Sequence, residues 1–192
     1  MSPPKPIRDT SLKGKFSIAQ WGIITGMYTE FYERISAPWR ANPALRGALR
    51  SVDLALRIAF ALAYLGLLNW LAYQGDYPRL ERAFFVPAIT FVAVTALRNA
   101  INAPRPYEAY PIDAVIPKET TGKSMPSRHM ASATIIACTL WWVSVPAGIV
   151  AAVGCAAIAY VRIAGGVHFP RDIAAAAAFS LACAAVGFLL IP

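Results

Sequence analysis

Charge is scarce in this chain. Of its 192 residues only 15% are charged and 57% are hydrophobic, whereas an ordinary soluble domain has about 25% charged and about 45–50% apolar residues. That apolar content excludes intrinsic disorder. Gly/Ser linkers and low-complexity tracts are absent, and with one domain's worth of length this argues against a two-domain protein. Cysteine is sparse and odd in number. Cys138, Cys155 and Cys183 lie in apolar runs without paired spacing, so they read as small core residues and not as a disulfide framework or a metal site. No stretch interleaves basic residues with exposed aromatics along a polar face, so no nucleic-acid partner is expected. A short basic region leading into an apolar core and a small-residue cleavage site is also missing, so no cleaved signal peptide is expected.

What the chain does have is uncharged length. Residues 58–75, 83–97, 130–161 and 173–192 carry no charge, and a spanning helix needs about 20 mostly apolar residues. With a few flanking residues these runs predict helices near 52–73, 82–102, 129–145, 148–164 and 171–191, with a turn at Pro146-Ala147-Gly148. The middle pair is short and requires tilt or a tight hairpin. A soluble all-α core is excluded, because surface helices need a polar face. Residues 16–38 mix Phe16, Trp21, Tyr28, Phe31 and Tyr32 with Gln20, Glu30, Glu33 and Arg34. They suit a sixth crossing or a helix lying in the interface, and the interfacial helix is the expectation. The expected fold is therefore an all-α integral membrane bundle of five or six transmembrane helices. Residues 1–51 form a basic N-terminal segment and 52–192 the membrane-embedded domain. The first fifty residues hold eight basic and three acidic side chains, which suits an anionic membrane surface.

The polar residues collect in two connections, roughly 103–128 and 163–171. An even number of crossings separates these loops, so they emerge on the same side of the bilayer. Counting alone thus brings Arg98, Arg105, Ser127, Arg128, His129, Arg162, His168 and Asp172 toward one face. Both histidines of the chain fall in this set. Pro170 suits a first helical position and leaves Asp172 in the first turn, and Ser127 or Ser124 can cap a helix opening near His129. Helix starts offer free N–H groups to an anion, and arginine forks bind phosphate oxygens. Phosphoryl transfer further needs a nucleophile and an acid for the departing oxygen. Two histidines can share those roles, and Asp172, four residues after His168, is placed to bond one ring nitrogen and leave the other facing phosphorus. Arg171 reads as a headgroup-facing charge.

These residues resemble the type-2 phosphatidic acid phosphatase superfamily, in its membrane lipid phosphatase branch. Its first motif is Lys-x6-Arg-Pro, and here Arg98-x6-Arg105-Pro106 stands in that place. Its second, Pro-Ser-Gly-His, is met by Pro126-Ser127-Arg128-His129. Its third, Ser-Arg-x5-His-x3-Asp, is met by Val161-Arg162, His168 and Asp172. The resemblance implies that His168 is the nucleophile that becomes a phosphohistidine, oriented by Asp172, with His129 as the acid. Arg98, Arg105, Arg162, Ser127 and the backbone N–H of Arg128 would bind the phosphate. The family reaction uses no metal, so no cofactor is expected. Arg98 for Lys, Arg128 for Gly and Val161 for Ser depart from the pattern. Arg128 is expected either to reach a headgroup or second phosphate, or to crowd the site, and Val161 to slow the reaction by one lost hydrogen bond.

The implied substrate is a lipid phosphate monoester or diphosphate, such as phosphatidic acid, phosphatidylglycerol phosphate or undecaprenyl diphosphate. Tyr107, Tyr110, Lys118 and Lys123 are the expected headgroup contacts. The competing reading is a non-catalytic membrane protein of the same fold that binds or transports an anionic phospholipid; Arg128 and Val161 are its support. With five crossings the basic N-terminus shares the side of the site, and the positive-inside rule places that side in the cytoplasm. With six crossings the site faces outward, as is usual in the family, and an outward-facing site in a bacterial plasma membrane is the expectation.

Overall fold

The computed structural model describes residues 18–116 and 120–190, with side chains from 26 to 189. Lys5, Arg8, Lys13, Lys15, Phe16 and Lys118 lie outside them, as do the side chains of Gln20 and Trp21. Seven α-helices occur among the described residues: α1 (Ile18–Arg40), α2 (Pro43–Tyr73), α3 (Tyr77–Ile101), the single turn α4 (Pro106–Ala109), α5 (Arg128–Val143), α6 (Val145–Ala164) and α7 (Pro170–Ala185). A π-helical turn, Val186–Leu190, continues α7.

Four stretches are long and apolar enough to cross a membrane: Pro43–Tyr73, Tyr77–Ala109, Val145–Ala164 and Pro170–Leu189. Leu54, Ile58, Leu62 and Leu65 of α2 and Phe84, Phe85, Ile89 and Val92 of α3 are exposed. Such a girdle is stable only against lipid. All five expected crossings are helices. At 16 residues, however, α5 is shorter than a usual span of about 17–25.

Two boundaries differ from expectation. The turn between α5 and α6 lies at Ser144, which ends one helix and caps the next. Pro146 and Gly148 fall in the first turn of α6, where a proline forfeits no intrahelical hydrogen bond. Gly148 has its own reason there, since a Cβ on it would sit 2.5 Å from the Trp141 Cα. The hairpin closes through that contact. The second difference is the start of α2 at Pro43, nine residues ahead of the expected helix. Asn42 caps it by accepting from the Ala44 N–H at 2.8 Å.

The bundle centres on α5, which packs against α2, α3, α6 and α7. Its core is built largely from small side chains, Ala131, Ala133, Ala137, Ala151, Cys155 and Ala176, closed by Phe60, Val94 and Ile158. Small residues let helices approach closely where burial from water supplies little drive. The C-terminal ends of α3 and α6 and the N-terminal ends of α5 and α7 meet at one end of the bundle, as the count of crossings requires. The Ser127 N–H donates to the Asp172 carbonyl at 3.1 Å, and the Ile116 N–H to the Gly165 carbonyl at 3.0 Å. Helix α1 lies against this same end. Tyr28 stacks on Tyr110 and Phe169, Tyr32 is buried beneath residues 113–115, and the Trp39 indole donates to the Tyr160 hydroxyl at 2.9 Å.

Candidate active site

Pro170 opens α7 as its first residue and puts Asp172 in the first turn. There the Asp172 carboxylate turns back and accepts from the Phe169 N–H at 3.0 Å. His168, one residue outside the helix cap, is 1% exposed and Asp172 is fully buried. The two do not bond directly, since His168 Nδ1 and Asp172 Oδ2 are 3.7 Å apart. Ser124 fills the gap. Its hydroxyl donates to Asp172 Oδ2 at 2.5 Å and lies 3.4 Å from His168 Nδ1. A hydroxyl has one proton to give. With that proton on Asp172, the serine oxygen accepts from Nδ1–H, and the lone pair of the imidazole is left on Nε2. The direct aspartate–histidine bond expected from the four-residue spacing is thus replaced by a serine relay. Burial pushes the His168 pKa down to about 4 against the pull of Asp172, so the ring is neutral at physiological pH.

The arginines arrive from three elements. Arg98 closes the last turn of α3, is 9% exposed, and donates through Nη1 to the Pro126 carbonyl at 3.0 Å. Arg105, 4% exposed, donates from Nε to the Gly122 carbonyl at 3.1 Å, and its Nη1 lies 3.5 Å from the Val167 carbonyl. Its backbone N–H is held by the Glu108 carboxylate at 2.7 Å, which also accepts from the Gly122 N–H. Gly122 has φ +65°, and a Cβ there would collide with Asn102, so this tie needs glycine. Arg162, at the end of α6, is 1% exposed and places Nε 3.2 Å from Asp53 Oδ1. The charges of Arg105 and Arg162 both act on His168, and those of Arg105, Arg128 and Arg162 act on Arg98.

The side chains of Arg162 and Ser127 hold buried donors with no hydrogen-bond partner: Arg162 Nε and Nη2 and the Ser127 hydroxyl. Ser127 is the N-cap residue of α5, but its side chain makes no capping bond, and Ser124, the other expected cap, is committed to Asp172. Buried donors are rarely left unmade. An oxyanion beside them, facing the free N–H groups of the first turn of α5, would satisfy both. His129 stands in that turn, half-buried.

The family model described as PAP2 superfamily matches residues 80–192. The chain belongs to the PAP2 superfamily. These are the type-2 phosphatidic acid phosphatases that the three motifs resemble. No curated protein compared with the chain is significantly similar to it. Among solved structures it is similar to LpxE of Aquifex aeolicus, at 22% identity and a TM-score of 0.64, over 82% of this chain and 92% of that one. It is also similar to the PAP2-type phosphatidylglycerolphosphate phosphatase of Bacillus subtilis, at 17% identity and a TM-score of 0.58, over 90% and 92%. At such identities the likeness carries the fold: a membrane PAP2 bundle.

Two of the departures from the PAP2 pattern now have a structural account. Arg128 does not crowd the site, because its side chain is exposed and lies over the Phe91 ring of α3 at 5.8 Å. Val161 packs into a second core with Leu49, Val115, Ile116, Ala164 and Val167, where a methyl group is worth more than a hydroxyl. Of the expected headgroup contacts, Tyr107 gives its hydroxyl to the Thr120 carbonyl at 2.5 Å. That bond ties it to the connecting loop. Lys123 is exposed, at φ +53°. Tyr110 stands in an aromatic cleft with Met27, Tyr28, Phe31, Phe169, Pro170 and Arg171, of about 540 Å³. Arg171 is exposed and covers the Phe169 ring at 4.7 Å. The PAP2 motifs do not point to the serine relay, to Glu108 or to Asp53. The lone carboxylate at 53 ahead of an apolar run was the one visible signal among them.

Proposed function

We propose that this PAP2 protein hydrolyses the terminal phosphate of a membrane lipid phosphate or isoprenyl diphosphate through a phosphohistidine, without a metal. The observation that carries the reading is the buried relay from Asp172 through Ser124 to His168, which leaves Nε2 as a neutral nucleophile among three arginines and the unpartnered donors of Arg162 and Ser127. In the first step Nε2 attacks phosphorus and a P–N bond forms as the P–O bond to the lipid breaks. His129 gives its proton to the departing oxygen. Developing charge on the equatorial oxygens falls to Arg98, Arg105, Arg162, the Ser127 hydroxyl and the Arg128 N–H. The positive charge that grows on His168 is balanced through Ser124 by Asp172. His129, now neutral, takes a proton from water, whose oxygen attacks phosphorus as the P–N bond to Nε2 breaks; inorganic phosphate leaves and His168 is restored.

A site at the end of a lipid-facing bundle admits a headgroup while the tail stays in the bilayer. The contacts of Tyr28, Tyr32 and Trp39 with that end support α1 as an interfacial helix ahead of the membrane domain. An outward-facing site belongs to the same proposal and rests on the family resemblance; with an interfacial α1 it sets the basic N-terminal segment outside, against the positive-inside rule. A cysteine placed at exposed Lys123 should react with a membrane-impermeant maleimide in intact cells, and protection until lysis would refute that sidedness.

The deciding experiment is phosphate release in detergent micelles, without added metal, from phosphatidic acid, phosphatidylglycerol phosphate and undecaprenyl diphosphate. Wild type should release phosphate from at least one of them, and His168→Ala should release none. A well-folded wild type inactive on all three would return the reading to lipid binding or transport.

A further inference from the structure

We propose that Asp53, in the spanning helix α2, is a positioning residue for the phosphate site and acts through Arg162. The inference rests on the phosphate-binding role of Arg162 given above. Asp53 is 6% exposed. A carboxylate buried in a membrane helix is costly and is retained where a partner makes use of it.

Asp53 has two partners, and they differ. Arg57, one turn along the same helix, brings Nη2 to 3.1 Å of Oδ2; its side chain is 40% exposed. Such a pair on one helix face needs nothing from the rest of the bundle. Arg162 comes across from α6 and is 1% exposed, with Nε 3.2 Å from Oδ1. Asp53 therefore faces the Nε edge of the guanidinium as an ion pair, while Nε and Nη2 both remain buried without a hydrogen-bond partner. A counter-charge beside one edge of a planar fork draws the guanidinium toward it and leaves its N–H groups for an oxyanion. The carboxylate also offsets repulsion, since Arg162 feels the like charges of Arg57 and Arg105. Arg98 and Arg162 likewise act on each other. Without Asp53 the cations of the empty site would keep Asp172 as a counter-charge but lose the one beside Arg162.

Asp53 lies ahead of residues 80–192, the segment that carries the family match. The phosphate site thus depends on a helix outside that segment, which explains why α2 runs on past the apolar stretch toward the site end.

The test uses purified full-length protein in detergent, with turnover of whichever of the three lipids the micelle assay finds to be hydrolysed and inhibition by inorganic orthovanadate. In Asp53→Asn the KM and the vanadate inhibition constant should rise together, by about ten- to a hundredfold as for lost supporting partners of a bound group, while kcat falls less. Asp53→Glu should fall between that variant and wild type, and Arg57→Gln should stay within about threefold of wild type. A structural role alone would lower the melting temperature and the active fraction without moving the vanadate constant. Folded Asp53→Asn and Asp53→Glu proteins with wild-type constants overturn the inference. If Asp53→Asn does not fold, Asp53→Glu decides: a raised vanadate constant at an unchanged melting temperature supports the inference, and an unchanged constant overturns it. If wild type turns over no lipid, the proposed function falls. Vanadate binding, read by thermal shift, still tests Asp53 on the same variants: weaker binding in Asp53→Asn supports it, and equal binding, or none even to wild type, overturns it.

Discussion

Ser124→Ala removes one oxygen from the site and leaves both proposed proton carriers in place. In the intact protein that oxygen hydrogen-bonds between His168 Nδ1 and Asp172 Oδ2, which are themselves 3.7 Å apart. Its loss costs Asp172 one charge-assisted hydrogen bond, though the Phe169 N–H still supports the carboxylate. It also frees the imidazole to put its proton on either nitrogen. A hydrogen bond to a charged group is worth about 1.5–3 kcal/mol. Here it matters most as positive charge grows on His168, so most of it should appear in the barrier. At about 1.4 kcal/mol per factor of ten, kcat should fall about ten- to a hundredfold. KM should change little, because no phosphate-binding donor is touched. Steady-state phosphate release in micelles measures both constants, and the melting temperature in the same detergent controls for folding. A folded Ser124→Ala protein with kcat within about twofold of wild type would refute the relay, and the aspartate would then have to act on the ring through space.

Protonation and loop anchoring give two further expectations. Because the folded His168 pKa is depressed to about 4, below the unfolded value of about 6.5, the unfolded chain binds the extra proton first. The contribution of His168 to stability should thus be flat above about pH 7 and decline as pH falls from about 6.5 toward 4, by about 3 kcal/mol in all. Thermal unfolding across that range should show the decline in wild type and a shallower one in His168→Gln; equal slopes would refute it. Glu108→Ala withdraws the acceptor of the Arg105 and Gly122 N–H groups. It should raise KM severalfold and lower stability by about 1–3 kcal/mol, and a wild-type KM would show that Arg105 is placed without that tie.

The residues proposed for the chemistry could be picked out because chemistry fixes their types and spacings: two histidines, an aspartate four residues after one of them, and arginines at helix ends. The spans were legible because lipid tolerates only uncharged length. What escaped was pairing across the chain. Asp53 and Arg162 meet only because α2 packs on α6, and no local periodicity encodes that meeting. The same pairing hid the start of α2, since Arg46, Arg50 and Asp53 read as a boundary until Asp113, the Val115 carbonyl and Arg162 are seen to accept or balance them. The hairpin was misplaced because proline marks a turn and a first helical position equally well. Val161 looked like a lost hydroxyl because a motif records chemistry and not the core behind it.

Tyr32 joins α1 to the loop that carries His168. Its hydroxyl donates to the Asp113 carbonyl and accepts from the Val115 N–H, each at 3.1 Å. Its ring lies so close to Gly166 that a Cβ there would come within 2.8 Å of the hydroxyl oxygen. Gly166 is two residues before His168. The backing of the His168 loop is therefore partly supplied by α1, which is held by the Tyr32 hydrogen bonds, its aromatic contacts and the packing of Ile35 and Trp39 on the second core. Solubilisation harsh enough to lift that helix would undercut His168 while the remaining bundle stood intact. A preparation that is monodisperse, helical and inactive would then be reporting a detached α1, and milder extraction or return to a bilayer should restore turnover without refolding.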